Sequence, residues 1–414
     1  MTSDTDLLDA VVVGAGWAGL GVSYYLGQAG LRHRVLERGR IGETWRTQRW
    51  DSFRMNTPNA LSVMPGDTYD GPDPEGFMTR DAFVALLEGF AARNRLPVDT
   101  DTPVVDLACD ERDNVYRLET PRGARRARNV VIASGNLNRS HRPAAAAALP
   151  PGLFQIDASD YRDPAALPAG AVLVVGSGQC GGQIAEDLVQ AGRGVFLATG
   201  RVGRLPRRYR GRDITFWLRR SGLYDVPRKD LLDAAGHIAA RPLLGVGHSI
   251  SLQSLSAQGV VLLGRFIGVG DGTRLNFADD LEENIRFGDE SSTAFKRYID
   301  DYIAREGLDI PAAEPDPAES VAPHLPDPPI RSLDPVECGI ATVIWCTGFG
   351  GDFGWVRVPG VLDARRQPVH EKGVAAQPGI YFAGLDLAIT RKSGTLFALT
   401  EEPQLVVEHI LVRR

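Results

Sequence analysis

One short pattern occurs twice in this chain, and it constrains the fold more than anything else in the sequence. Gly14-Ala15-Gly16-Trp17-Ala18-Gly19 follows the apolar run Ala10–Val13, and Gly176-Ser177-Gly178-Gln179-Cys180-Gly181 follows Ala171–Val175. Each G-x-G-x-x-G stands between a strand-like run and a stretch of helical spacing. There the three glycines have separate jobs: a tight turn, close approach of a pyrophosphate, and packing of helix on strand. The helix start adds backbone N–H groups and a positive dipole end for that anion. One such motif is weak. Two of them, 162 positions apart, predict two dinucleotide-binding βαβ units on one chain.

The two units differ where the second strand ends. In the first, Arg34-Val35-Leu36 runs into Glu37 and Arg38, and Glu37 lies 23 residues after Gly14, a suitable distance to accept from a ribose diol. The second has no acid there. Its strand Gly194–Ala198 runs into Thr199-Gly200-Arg201, with Arg204, Arg207 and Arg208 close behind. Loss of the carboxylate and gain of arginine suits a 2′-phosphate, so the second unit reads as a site for NADPH rather than NADH. Of the 46 Lys and Arg residues only four are Lys, so generic arginines are the bland alternative.

Two apolar strands ending in small residues complete the plan of a two-dinucleotide flavoprotein. Asn129–Ile132 delivers Ala133, Ser134 and Gly135, and Ala341–Cys346 delivers Thr347 and Gly348. Gly379–Asp386 reads as a last strand bringing Gly384 and Asp386 to the cofactor, and Val105 is placed in the same set. The expected fold class is α/β with two Rossmann-like dinucleotide-binding domains, an FAD domain with an inserted NADPH domain. Residues 1–168 plus 335–414 would form the first, and 169–334 the second with a helical insertion. Punctuation at Ala144–Pro151 and Ala165–Gly170 agrees, as do the seven prolines of Pro311–Pro329. Phe295–Glu306 reads as an amphipathic helix whose aromatic face is core.

With 52 acidic residues against 46 basic ones, the net charge of −6 argues against a nucleic-acid surface. No apolar run reaches the roughly 20 residues a membrane span needs, and the acidic start lacks a signal-peptide pattern, so a cytoplasmic protein is expected. Cys109, Cys180, Cys338 and Cys346 form no C-x-x-C pair and no metal-ligand spacing, so no metal site is expected.

Taken in order, these motifs resemble the flavin-containing monooxygenases, class B flavoproteins, over nearly the whole chain. Gly42-Glu43-Thr44-Trp45-Arg46 resembles the family's G-x-x-W segment, and the resemblance puts Trp45 and Arg46 by the flavin. Trp50–Pro58 resembles the stretch whose Asn, here Asn56, lies by the reactive edge. Cys346-Thr347-Gly348-Phe349 stands where the family has A-T-G-Y. Asp70–Arg80 and the run beginning at Gly176 look closest to an actinobacterial subgroup. The resemblance implies that NADPH reduces FAD, that O2 adds, and that the flavin hydroperoxide passes one oxygen to a small-molecule nucleophile. Asn56 would be the polar catalytic group; an Asx-turn before Thr57-Pro58 is its bland alternative.

Two departures qualify the resemblance. The fingerprint F-x-G-x-x-x-H-x-x-x-[YF] survives only as Asp157–Tyr161, with Asp157 at the position of the His, and Tyr161-Arg162 is not the Trp-Pro of Baeyer–Villiger enzymes. Phe397 replaces a usually small residue. Nitrogen or sulfur oxygenation is therefore favoured over Baeyer–Villiger chemistry. A flavin oxidase or dehydrogenase, or a non-catalytic FAD- and NADPH-binding protein, are the other readings. Tyr209, Phe216, Trp217 and Trp345 are candidate pocket residues, and His248 is a weaker acid–base candidate. Oligomeric state stays open, a homodimer among the options.

Overall fold

The computed structural model describes residues 7–110, 115–270 and 272–413. The strand Leu7–Val13 pairs in parallel with His33–Leu36 on one side and Arg125–Ile132 on the other. They form the middle of a seven-stranded sheet, continued by Val98–Asp99 at one edge and by the antiparallel strands Val115–Glu119 and Asp106–Asp110 at the other. Ile380–Phe382 pairs in parallel with the end of Arg125–Ile132. Covered on both faces, Ala10–Val13 and Val130–Ile132 read as unbroken apolar runs instead of alternating ones.

A second sheet repeats the arrangement. Its five parallel strands run in the order Val261–Leu263, Val195–Ala198, Ala171–Val175, Ile340–Trp345, Phe154–Asp157. Ile340–Trp345 flanks Ala171–Val175 as Arg125–Ile132 flanks Leu7–Val13, so the two small-residue strands occupy equivalent places. By strand membership this sheet reaches outside 169–334 on both sides, because Phe154–Asp157 and Ile340–Trp345 find their parallel partners only there. The helices Trp17–Gln28 and Gln179–Gln190 start directly at Gly16 and Gly178.

The helix Leu281–Glu306 is twice as long as the expected Phe295–Glu306. Acidic Glu282 and Glu283 open it, and Gly307 closes it in the left-handed conformation. Its buried Ile299 and Tyr302 pack with Ile214 and Trp217 in a separate apolar cluster. Trp217 is fully buried, with its Nε1 donating to the Tyr209 carbonyl at 2.8 Å, so it is core and not pocket. Phe216 packs edge-on against it, and the Tyr209 hydroxyl is held by Asp300. Trp345 is likewise core, its Nε1 donating to Gln155 Oε1 at 3.0 Å. A ring with a single N–H is cheapest to bury where that N–H has a partner. Among the described residues no helix is long and apolar enough to cross a membrane.

Candidate functional site

The two glycine loops match each other atom for atom. A Cβ on Gly14 would stand 2.5 Å from the Ala133 carbonyl oxygen, and one on Gly176 2.5 Å from that of Cys346. Both residues have positive φ, 108° and 106°. A Cβ on Gly19 would meet the Gly14 oxygen at 1.9 Å, and one on Gly181 the Gly176 oxygen at 1.7 Å. The first and third glycines are therefore required by the packing of helix on strand. Gly16 and Gly178 differ: nothing lies within 4 Å of a Cβ there. The fold does not need a glycine at either place. A backbone kept bare over open space, at a helix start, is what an approaching phosphate needs.

The first loop opens onto a cleft of about 380 Å³. It is lined by Gly14, Gly16, Trp17 and Ala18 from the loop, Glu37 and Arg38 from the second strand, Trp45, Ala133, Ser134 and Gly135, and Gly384 and Asp386. Twelve residues singled out in the sequence thus come together. Two buried oxygens in its wall, Ser134 Oγ and Asn138 Oδ1, have no hydrogen-bond partner. Orphaned polar atoms of this kind fit a polar occupant. Glu37 is 7% exposed; its Oε2 accepts from the Ala15 N–H at 2.7 Å and its Oε1 from Gly39 N–H at 3.0 Å. Burial pushes its carboxyl up, and those two N–H groups pull it back. Asp386 is tied across to the inserted unit by Arg241 Nε at 2.8 Å.

Four expected contributors stand apart from this wall. Arg46 turns to Glu88 and the Ile41 carbonyl, because a surface carboxylate lies within its reach. Val105 is 55% exposed, and its neighbours Pro103 and Val104 line the cleft instead. Gly19 lies beneath, under Gly14. Asn56 sits at the junction of the two units: its Nδ2 donates to Gln179 Oε1 at 3.3 Å, its Oδ1 accepts from Gln183 Nε2 at 3.1 Å, and its carbonyl accepts from Arg207. Gln179 in turn donates to the Pro242 carbonyl.

At the second loop, Ser177 Oγ accepts from the Gly200 N–H at 3.0 Å, fixing the loop to the end of its neighbouring strand. Thr347 Oγ1 donates to the His141 carbonyl, and Gly348 has φ of 103° with open space beside it. The arginines divide. Arg204 is 6% exposed and paired with Asp289 and Glu319; Arg207 is buried against Asp213; Arg208 reaches Glu75. Arg204 and Arg207 are buried in ion pairs that brace the fold, and Arg208 is engaged by Glu75 in an exposed pair, which corrects their reading as phosphate ligands. Arg201 is exposed, lies over the Phe287 ring at 4.6 Å, and has no ion pair among the described residues. Asp157 pairs with Arg142, and His248 with Glu186, which holds the imidazole pKa above its ordinary value.

Sequence reasoning missed Arg49, Asn136, Asn138 and Trp355, all in the cleft wall. Arg49 stands four residues after Trp45, and Asn136 and Asn138 closely follow Gly135, so only Trp355 lies far from any motif.

A family model described as pyridine nucleotide-disulphide oxidoreductase matches residues 11–219, half of the chain. An uncharacterised oxidoreductase described as CzcO-like, from Geobacillus kaustophilus, is 29% identical over 407 residues, covering 98% of this chain and 99% of that protein. A flavin-containing monooxygenase from Stenotrophomonas maltophilia superposes with a TM-score of 0.64 at 18% identity, covering 99% of both chains. A bacillithiol disulfide reductase from Staphylococcus aureus does so with the same TM-score at 10% identity and 99% coverage. At such identities the superpositions speak for the fold alone. Nothing in these matches singles out the actinobacterial subgroup.

Proposed function

Because the chain belongs to the pyridine nucleotide-disulphide oxidoreductase family, we propose that it is an FAD- and NADPH-dependent monooxygenase. It transfers one oxygen atom from O2 to a nitrogen or sulfur nucleophile of a small molecule. The observation that carries this is the pair of bare glycines, Gly16 and Gly178, each over open space at a helix start. FAD, when bound, supplies the redox and oxygen chemistry. The first cleft suits it: Glu37 for a ribose diol, the Gly14–Gly19 loop for phosphates, and the orphaned Ser134 Oγ and Asn138 Oδ1 for its polar edges. The second loop with Arg201 suits NADPH.

Disulfide reduction, the other chemistry in the family's description, needs a reactive thiol pair beside the flavin. The sequence has no C-x-x-C, and burial pushes the thiols of Cys180 and Cys346 up, away from the reactive thiolate. The flavin-containing monooxygenase and the bacillithiol disulfide reductase superpose equally well, so the lack of a C-x-x-C, and not the fold, favours oxygen transfer.

The test is anaerobic mixing of the flavin-loaded protein with NADPH, followed by oxygenated buffer. The yellow colour should bleach, and the oxidised spectrum should return only after seconds. With ¹⁸O2 and a panel of amines and sulfides, one labelled atom should enter a product. Immediate return with no labelled product would mark an oxidase, and no bleaching at all would defeat the reading.

Two residue-level outcomes follow. Arg201→Ala should raise the apparent KM for NADPH about tenfold, the worth of one charge-assisted phosphate contact, and leave that for NADH unchanged. Equal effects on both would remove Arg201 from the 2′-phosphate. Asn56→Ala breaks the link among Gln179, Gln183 and the first unit. Water then enters the junction. Bleaching by NADPH should be spared while H2O2 released per NADPH rises several-fold; an unchanged ratio would leave Asn56 a purely structural residue.

A further inference from the structure

We infer that the cavity walled by Leu61, Val63, Tyr224, Leu396 and Phe397 binds an apolar monocarboxylate, its ring-sized body against Tyr224 and Phe397 and its carboxylate on Arg219 and the Tyr224 hydroxyl. The site lies outside the flavin cleft, and the inference does not rest on the reading of that cleft as a monooxygenase.

The cavity holds about 410 Å³, as much as the cleft itself and enough for a small molecule. It forms where the two units meet: its lining comes from residues 60–63 and 392–401 of the first and 219–225 of the inserted one. Gly394, between Lys392 and Leu396, lines the cleft, so a single turn separates the two spaces. One wall is aromatic. The Tyr224 and Phe397 rings stand 4.7 Å apart and 32° from parallel, and both pack in the apolar cluster of Ile214 and Trp217. The Lys392 N–H donates to the Tyr224 carbonyl at 3.0 Å, which fixes the two segments to each other. Leu61, Val63 and Leu396 add aliphatic surface, against which an apolar body gains by leaving water. Phe397 stands where the resemblance expects a small residue, so this aromatic wall is particular to the present chain.

The polar groups of the lining are unevenly matched. Asp225 and Glu401 both accept from Lys392 Nζ, at 2.6 and 2.9 Å, and are thereby engaged. Arg219 is exposed and has no ion pair among the described residues. Tyr224 is only 8% exposed, yet its hydroxyl has no hydrogen-bond partner among the described residues. A buried hydroxyl left in that state bears a desolvation cost that an acceptor on a ligand removes. Burial pushes its pKa up, against the pull of nearby guanidiniums, so it stays an O–H donor. Beside Lys392, Arg391 adds a buried Nε without a partner. These three unmatched groups are donors, and two of them are cations. With Arg391 counted, three cations stand against two acids, so the wall carries a net positive charge. An amine would be repelled there, whereas a carboxylate gains a charge-assisted hydrogen bond from the guanidinium and a second from the phenol.

The test is calorimetric titration of the flavin-loaded protein, as purified, with 3-phenylpropionate and with 3-phenylpropanol, which has the same body and no charge. The acid should bind saturably, one per chain, and about tenfold more tightly than the alcohol. Arg219→Gln should weaken the acid about tenfold and leave the alcohol unchanged, and Tyr224→Phe should weaken the acid about threefold. Phe397→Ala should weaken both probes. Arg219 is exposed, so its variant carries the test should Phe397→Ala fail to fold. Acid binding within twofold of wild type in Arg219→Gln would overturn the inference, as would equal affinities for acid and alcohol or no saturable binding of the acid. Undiminished binding of both probes by a folded Phe397→Ala would place them elsewhere and overturn it too. No arm uses NADPH or oxygen, so these failures leave the reading of the cleft untouched.

Discussion

Gly16→Val should give a folded protein nearly devoid of flavin, whereas Gly19→Ala should give one that folds poorly whatever flavin is supplied. The two positions lie three residues apart in one loop but face different things. Gly16 caps the helix with φ of −81° and ψ of −177°, an extended conformation that a β-branched residue adopts readily. A Cβ there has no protein atom within 4 Å, so the apo fold tolerates the branch. It does occupy the space over the helix start where a phosphate would approach. Gly19 has the opposite environment: a Cβ would collide with the Gly14 carbonyl oxygen at 1.9 Å, and that oxygen belongs to a loop pinned to Ala133. Neither backbone can give way cheaply, so the cost is about 3 kcal/mol in urea unfolding. Flavin absorbance and the urea midpoint, measured on both variants, separate the effects. A Gly16→Val protein that keeps its flavin at wild-type affinity would show that the cofactor does not use this helix start.

The same contrast explains which parts of the molecule can be read from the sequence. The glycine loops are legible because a short-range steric requirement, helix against strand within six residues, dictates residue type at fixed offsets. The buried parallel strands are legible because burial on both faces leaves a continuous apolar run. The arginines are not. Arg204 and Arg208 stand in sequence where phosphate ligands would, yet their partners Asp289, Glu319 and Glu75 are distant in the chain. No local pattern records such a pairing. Arg49 illustrates the converse: it lines the cleft with no ion pair among the described residues, and an absence in space leaves no mark on the chain. Ile340–Trp345 is foreseeable as a strand, but its sheet partners are decided by packing and not by its position in the chain.

Glu402→Gln is expected to stabilise the protein by roughly 3 kcal/mol at pH 8 and by far less at pH 5. Glu402 opens the last helix, Glu402–Val412, and is 8% exposed. Burial dominates and pushes its carboxyl from an ordinary 4.5 to about 7, against the opposing pull of the Ser393 hydroxyl, which donates to its Oε1, and of the Lys392 charge. The folded protein therefore holds this proton more tightly than the unfolded chain does. Between pH 4.5 and 7 folding takes up a proton, so stability falls as pH rises through that window and the full penalty persists above 7. A neutral amide carries no such penalty. Urea midpoints at pH 5, 6, 7 and 8 should diverge steadily between wild type and variant; parallel curves would mean that Glu402 ionises as it would in water. The consequence reaches the cleft. Ser393 Oγ also accepts the N–H groups of Ile389 and Thr390, and the Ser393 carbonyl accepts from Arg241, the residue that grips Asp386. Charging Glu402 thus loads the turn that ties the inserted unit to the cleft wall. If that tie matters for holding flavin, flavin affinity in wild type should weaken from pH 6 to 8, and in Glu402→Gln it should not.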